Sequence, residues 1–575
     1  MNIETQSSAS SVINLELDNT NGNRILVQDV EAEVDSIDED AYQNKLSDES
    51  KQVESKKILR DQLRRTLTSN HATAESSSRN RSTTTHWLPD SRQSFSSKLS
   101  PREYFILTDA GKPVFISRGI ETDDRDISSM LGIMQALISV FIDDGDKLKS
   151  INAGKTRITF LQRQPLYYAC VSAWGEPESV TRSQLEYLHL QIISVVTSAQ
   201  LKRIFERRGN FDLRRLLGGA DTFLTTMIAR LQLDLAISMS ALRCLRLDPL
   251  LRSKLAQALV PSGQITKVLD ILYVILVTQG EIITLIRPKK HSVHPADIHI
   301  LLTTLASPSL SNSPASAMWI PLCLPKWNET RMVNAYVVNM PYMHGGDLTS
   351  SDGAGTTEAT MASKKRDDMR SLNSNSHSVT LVCISGGSDF DSVRAWCDEA
   401  SEKLSSTPST SNNGQHPHLQ TAPSSSLHHL RTHISHSSYT VSELGIPGLR
   451  HFVYKARGLV QVTYPLWEDD LYGDNDAGRS PERKRIITLY QLVHDAIHAK
   501  GMTNLAKGDV REGLKLQYLR TETEAVLGWI TQPFEIYLTL SPLLPKSAAV
   551  GAANAVARWV KKEESKLFLK NAPVF

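Results

Sequence analysis

The sequence predicts an α+β protein, an α/β fold of three similar-sized units, each a mostly antiparallel sheet flanked by helices, behind a disordered N-terminal arm. Three observations predict it. From residue 101 onward, apolar runs of strand length alternate with stretches of helical periodicity. Two polar stretches, 347–378 and 406–437, interrupt that alternation. Residues 1–98 hold almost no apolar periodicity and carry seven acids over 29–40. A segment that cannot bury apolar surface cannot offset its ordering entropy. At about 150 residues per domain, 575 residues allow three folded domains and an arm.

The elements follow in order. The arm reads either as a passive tail or as a phosphorylated regulatory segment whose added charge changes its docking. Order begins at Pro101. Tyr104-Phe105-Ile106-Leu107, a turn at Asp109 to Pro113, and Val114-Phe115-Ile116 form strand, turn and strand. A helix follows, with Asp123, Asp124 and Asp126 at its positive N-terminal end. Strands over 157–161 and 166–173 flank a Gln164-Pro165 turn. Ser183 and Glu186 then suggest a capping box opening a long helix that closes near Gly209. This first unit spans 101–210.

The second unit, 211–405, opens with helices. One covers 213–217 and ends at Gly218-Gly219; another begins at Thr222; a third starts at Asp248-Pro249, which supplies an N-cap and a first-turn proline. A hairpin turns at Gly280, strands cover 318–323, 333–338 and 379–384, and a helix runs over 389–404. The interruption at 347–378 reads as a disordered surface insertion. Residues 406–437 read as a low-complexity linker. The third unit, 438–575, carries strands over 449–454, 459–464 and 535–540, a helix over 481–498, and a basic, Ala-rich C-terminal helix reaching Lys566.

Composition excludes several function classes. Lys+Arg 64 against Asp+Glu 62 gives a net charge of +2, which provides no field for bulk nucleic-acid binding. Five scattered cysteines without a CxxC pair argue against a disulfide scaffold or a cysteine zinc site, and fit a reducing, cytosolic compartment. The N-terminus lacks a basic start and an apolar run of signal-peptide length, so export is not expected. The most apolar stretch, 268–278, is about half a membrane span. Membrane contact is therefore expected to be peripheral.

Motifs for small-molecule chemistry are missing. There is no GxxxxGK[ST], no GxGxxG after a strand and no GxSxG. Gly386-Gly387-Ser388-Asp389 reads as a capped strand-to-helix turn rather than an anion cradle. His494 and His498 stand one helical turn apart, as in zinc peptidases, but with Asp495 in place of Glu and no third ligand at useful spacing. They read as helix-surface histidines, and the histidines over 416–436 as polar low complexity. No catalytic residue, metal or cofactor is expected. The helix after Asp126 is the more informative element. Ile127, Met130, Leu131, Met134, Ile138 and Phe141 form one apolar stripe, with Ile133, Ala136 and Val140 roughly opposite. A helix apolar on both sides is covered on both sides. Its second cover is either another domain of this chain or a partner protein.

Five blocks carry a resemblance, in order from residue 101 to 575. They are Tyr104-Phe105-Ile106-Leu107-Thr108-Asp109-Ala110-Gly111-Lys112-Pro113, the 130–138 helix, Phe211-Asp212-Leu213-Arg214-Arg215-Leu216-Leu217-Gly218-Gly219, Trp319-Ile320-Pro321-Leu322-Cys323-Leu324-Pro325, and Arg558-Trp559-Val560-Lys561-Lys562-Glu563-Glu564 with Leu567-Phe568. The sequence resembles the Mon/SAND family of vacuolar fusion proteins. That resemblance implies three longin-type domains. It also implies a heterodimer with a Ccz-type longin subunit, acting as a guanine-nucleotide exchange factor for the Rab GTPase of late endosomes and vacuoles. An upstream early-endosomal Rab and phosphoinositide membranes are further implied partners. The implied location is cytoplasmic and peripheral on late endosome, multivesicular body and vacuole membranes, with a role in autophagy and vacuolar protein delivery.

Within that reading, Ile133, Val140 and Trp319 are the candidates for contact with Rab or partner. Trp319 reads equally as a core aromatic. Lys289, Lys290, Arg558, Lys561 and Lys562 are the candidates for anionic headgroups, against the alternative of solvated faces. A tethering scaffold without exchange activity is the rival function, and an enzyme using His494 and His498 a more distant one.

Overall fold

The computed structural model describes residues 101–117, 124–143, 145–209, 211–311, 317–340, 378–405, 425–468, 481–499 and 514–575. The 1–98 arm, residues 347–377 of the expected insertion and 406–424 of the expected linker lie outside the described residues.

The first domain begins with β1 (Glu103–Thr108) and β2 (Pro113–Ile116), then α1 (Asp124–Asp143), β3 (Ser150–Ala153), β4 (Thr156–Arg163), β5 (Leu166–Ser172) and α2 (Glu178–Val195). Its antiparallel sheet has the order β2-β1-β5-β4-β3. The period of two along β1 sorts its side chains between two cores. Phe105 and Leu107 face α1 with Leu131, Met134 and Ile138. Tyr104 and Ile106 face α2 with Leu185, Leu188 and Ile192.

A short helix, α3 (Ser198–Arg207), leads to α4 (Asp221–Leu233), the two-residue strand β6 (Leu242–Arg243) and α5 (Pro249–Ala258). The second sheet then follows: β7 (Ile271–Thr278), β8 (Glu281–Ile286), α6 (Pro295–Ala306), β9 (Ala317–Cys323), β10 (Met332–Met340), β11 (Val379–Ser385) and α7 (Phe390–Ser405). Its order, β8-β7-β11-β10-β9, repeats that of the first sheet. The third domain contains α8 (Ser426–Ile434), β12 (Leu449–Ala456), β13 (Gln461–Thr463), α9 (Pro481–His498), β14 (Leu516–Arg520), β15 (Ala525–Ile530), β16 (Phe534–Leu540) and α10 (Lys546–Leu567), although α8 itself packs on the second sheet. Its sheet, β14-β15-β16-β12-β13, is the same order read from the other edge, and β6 adds to it in parallel beside β13. Each unit is thus strand, strand, helix, three strands, helix.

Several sequence expectations need correction. The long helix starts at Glu178 behind Pro177, so Ser183 and Glu186 lie inside α2 rather than capping it. Buried polar contacts fix that start: Thr181 Oγ1 lies 2.7 Å from Thr159 Oγ1, and Tyr104 donates to Gln184 Oε1 at 2.9 Å. The helix also breaks at Val196, where Thr197 caps α3 by accepting from the Gln200 N–H. The expected helix over 213–217 is a single 3-10 turn, Leu213–Arg215. Inside the expected linker, α8 buries Leu427, Leu430 and Ile434, an i, i+3, i+7 stripe that its Ser and His content obscured. The segment after 211 is not confined to the second unit. Leu224, Met227 and Leu231 of α4 join the α2 core, and β6 joins the third sheet.

The domains share interior. The α2 core takes Ala296 and Ile300 from α6, and Arg230 of α4 donates to the His299 carbonyl and to Thr303 Oγ1. At the far end, the chain after α10 returns to the second domain, where Val574 bridges Arg287 in parallel. All five cysteines are unpaired and buried.

Candidate interaction surface

The helix that follows the first two strands occupies the same place in all three domains, and its outer face is treated differently in each. In the second domain, α6 is buried from Pro295 to Thr304 because α2 and α4 cover the side turned away from its own sheet. In the third, Leu235, Ala236 and Met239 pack with Ile486, Tyr490 and Val493 of α9. In the first, α1 buries Leu131, Met134 and Ile138 against its sheet and leaves the other side open. Ile133 is 62% exposed, Gly132 and Ala136 are exposed, and Val140 is half-buried. The described residues of the chain therefore do not cover the second apolar face of α1.

Gln135 donates through Nε2 to the Asp109 carbonyl at 2.8 Å and ties α1 to the β1–β2 turn. Gly111 in that turn has φ +78°, and a Cβ there would stand 3.2 Å from Gln135 Cγ. Leu250, Val268 and Leu543 are also exposed. Ile133 instead sits mid-helix beside small residues, which lets a second backbone approach closely.

Trp319 lies on β9, the edge strand of the second sheet, and is half-buried. Its ring meets Phe390 edge-on at 5.5 Å and Tyr336 at 6.3 Å. It is a packing residue with one margin exposed, so neither sequence reading describes it fully.

The basic candidates are all exposed. Lys289 and Lys290 follow β8, and the Lys289 N–H donates to the Phe575 carbonyl at 3.1 Å. Arg558, Lys561 and Lys562 share a face of α10 at i, i+3, i+4 spacing, away from Val556 and Val560, which pack on the sheet. Neighbouring acids are otherwise engaged: Glu563 pairs with Arg246 and Lys566, and Glu564 with Lys570.

The histidine pair of α9 differs from its sequence reading. His494 is half-buried rather than at the surface, and burial lowers its imidazole to about 3. A third group also joins the pair. Glu535 of β16, 3% exposed at its side chain, accepts from His498 Nε2 at 3.2 Å. Burial alone would raise the Glu535 carboxyl; the His498 contact and the Lys455 charge outweigh it and hold the group at about 2. No spacing in the sequence pairs Glu535 with His498, because only the packing of α9 on the third sheet brings them together. The three face a cleft of about 1480 Å³ where the domains meet, lined also by Tyr187 of α2, His294 before α6, and Lys455 and Arg457.

The chain matches three family models over residues 102–227, 269–348 and 448–564, described as the first, second and third longin domains of FUZ, MON1 and HPS1. A vacuolar fusion protein MON1 of Cryptococcus neoformans var. neoformans serotype D is 43% identical over 484 residues, which cover 84% of this chain and 67% of the relative. The MON1 of Mycosarcoma maydis is 31% identical over an alignment of 630 residues, covering 82% and 68%. The protein SAND of Takifugu rubripes is 28% identical, covering 81% and 76%. With three matched domains in order and that extent of identity, the chain belongs to the MON1/SAND family of longin-domain proteins.

Proposed function

We propose that this chain is the Mon-type subunit of a heteromeric guanine-nucleotide exchange factor. It assembles with a Ccz-type longin subunit and activates the Rab GTPase of late endosomes and vacuoles, promoting tethering and fusion of endosomes and autophagosomes with the vacuole. Family membership supports the vacuolar role, since the relatives are named vacuolar fusion proteins. The observation that carries the assembly is the outer face of α1, the one first-position helix whose second apolar side the described chain leaves open. An exposed apolar face beside rimming polar groups marks a protein interface.

Exchange requires tight binding to the nucleotide-free GTPase and weaker binding to the loaded form, so that new contacts offset displacement of the switch segments. It needs no acid, base or metal from the factor. Apolar anchors carry such binding, and Ile133, with Val140 at its margin, is the anchor on the joint surface. Recruitment in this reading is peripheral, and among the described residues no helix is long and apolar enough to cross a membrane. Arg558, Lys561 and Lys562, with Lys289 and Lys290, supply charge toward anionic headgroups, about 1 kcal/mol per basic residue at the surface.

The test is co-purification with the Ccz-type subunit, followed by release of labelled nucleotide from the Rab. Accelerated release by the pair, and not by either subunit alone, is expected. A stable pair without acceleration would leave a tethering scaffold; failure to pair would remove the proposed role of α1.

A further inference from the structure

We propose that His494, His498 and Glu535 form a binding site for a divalent transition metal of the zinc class. Each residue offers one ligand atom, and the three atoms lie within 4.8 Å of one another. Two ligands on a tetrahedral zinc at about 2.0–2.1 Å stand about 3.3 Å apart. The Nε2 of His498 and Oε2 of Glu535 already stand 3.2 Å apart. The imidazoles lie one turn apart on α9, with ring centroids separated by 4.2 Å.

The surroundings suit this role. Gly528 of β15 lets α9 lie directly on the sheet, since a Cβ there would collide with Val493 and Ile497. That close approach fixes the histidines relative to β16. The second oxygen of Glu535 is held by Lys455 Nζ at 3.7 Å and Arg457 Nε at 3.4 Å, and the Tyr537 hydroxyl donates to Oε2 at 3.2 Å. Those two cations oppose a hard ion held by charge alone. The two imidazole nitrogens are what select zinc over calcium or magnesium. The cleft provides an entry path and room for water in the fourth position.

The test is titration of the purified full chain, first stripped by dialysis against a chelator, with zinc by calorimetry and with cobalt by visible absorption. The histidines over 416–436 also offer imidazole, so the decisive reading is the difference between wild type and variants. His498→Gln is the primary variant because its ring is 35% exposed, and an unchanged melting temperature in chelator verifies its fold. Wild type is expected to bind one more equivalent of zinc than His498→Gln and to show tetrahedral cobalt bands that the variant lacks. His494→Gln should lose the same equivalent. Equal stoichiometry and affinities within twofold in wild type and His498→Gln would overturn the site. So would a wild type that binds no zinc, which would leave the group a plain histidine–glutamate hydrogen bond.

Discussion

Ile133 contributes little to the stability of its own chain, because a side chain 62% exposed has little burial to lose. Ile133→Asp should therefore shift folding stability by less than about 0.5 kcal/mol, as surface substitutions do. In the assembled pair the same aspartate sits in a dry contact, where an unpartnered charge is costly. Association with the Ccz-type subunit should weaken by about 2 kcal/mol or more, roughly thirtyfold in Kd by titration. Wild-type affinity in the variant would exclude α1 from the interface. Trp319→Ala separates into different terms. A fully buried tryptophan costs about 3–5 kcal/mol on truncation. Trp319 is half-buried against Phe390 and Tyr336, so a loss of about 2 kcal/mol in the second domain is expected, read as a lowered denaturation midpoint. A drop in nucleotide release exceeding that loss of folded protein would add a recognition role. Buried histidines govern a third effect. His299, whose Nε2 donates to the Ala241 carbonyl, and His451, stacked on Trp467, are depressed by burial to about 4 and about 3. Their neutral forms stabilise the fold above the ordinary histidine pKa of about 6.5, and that stability is lost as pH falls through the window below it. Each should cost about 1.4 kcal/mol on going from pH 7.5 to 5.5. Unchanged denaturation midpoints across that interval would contradict the assignment.

At the scale of elements, what was legible depended on whether the signal was local. The hairpin at Gly280 was legible because Gln279 and Gly280, both with positive φ, join two apolar strands. Helix α9 was legible from Pro481 at its start and its apolar spacing to His498. Asp248 accepts from two N–H groups at the start of α5, as its position before Pro249 implied. Strands β3, β14 and β15 carried no such signal: β3 and β14 are edge strands with partly exposed polar residues, and β15 has a glycine at its centre. The start of α2 was misread because its capping pattern is local, whereas Thr181 and Gln184 are fixed by partners on distant strands. The same division runs through the candidate site. Both faces of α1 were legible as periodicity, while the contact of Glu535 with His498 depends on the packing of α9 on the third sheet. Gly528 permits an element-level prediction. Adding a methyl group where α9 already touches the sheet overpacks that contact, so Gly528→Ala should destabilise the third domain by about 1–3 kcal/mol. Equal stability by chemical denaturation would mean that α9 yields freely, and the histidine geometry with it.

For the whole molecule, the three domains repeat one topology, but their joints are built differently. The first and second are joined by apolar burial around α2, α4 and α6. The second and third are joined by Leu235, Ala236 and Met239 packed on α9 and by backbone and polar contacts: β6 beside β13, a Cys244–Ile282 bridge, and Gln461, which accepts from the Leu569 N–H at 2.7 Å. Arg252 is the centre of that second joint. From α5 it donates to the carbonyls of Leu245, Ser565, Lys566 and Phe568, satisfying acceptors at the end of α10 that the helix itself leaves unpaired. A cation there also complements the negative end of the helix. Arg252→Met keeps the packing of the stem but takes the Arg252 donor from the buried Leu245 and Phe568 carbonyls, while Lys566 keeps the Leu247 N–H, a penalty of about 1–3 kcal/mol per orphaned group before relaxation. Calorimetry should then show the third domain melting ahead of the others, with a net loss of about 3 kcal/mol. Asn554→Ala, on the exposed face of the same helix, should leave the trace unchanged. If Arg252→Met melts as wild type does, the packing of Leu235, Ala236 and Met239 on α9, the β6–β13 pairing and the Arg246–Glu563 and Leu247–Lys566 contacts hold the joint without it.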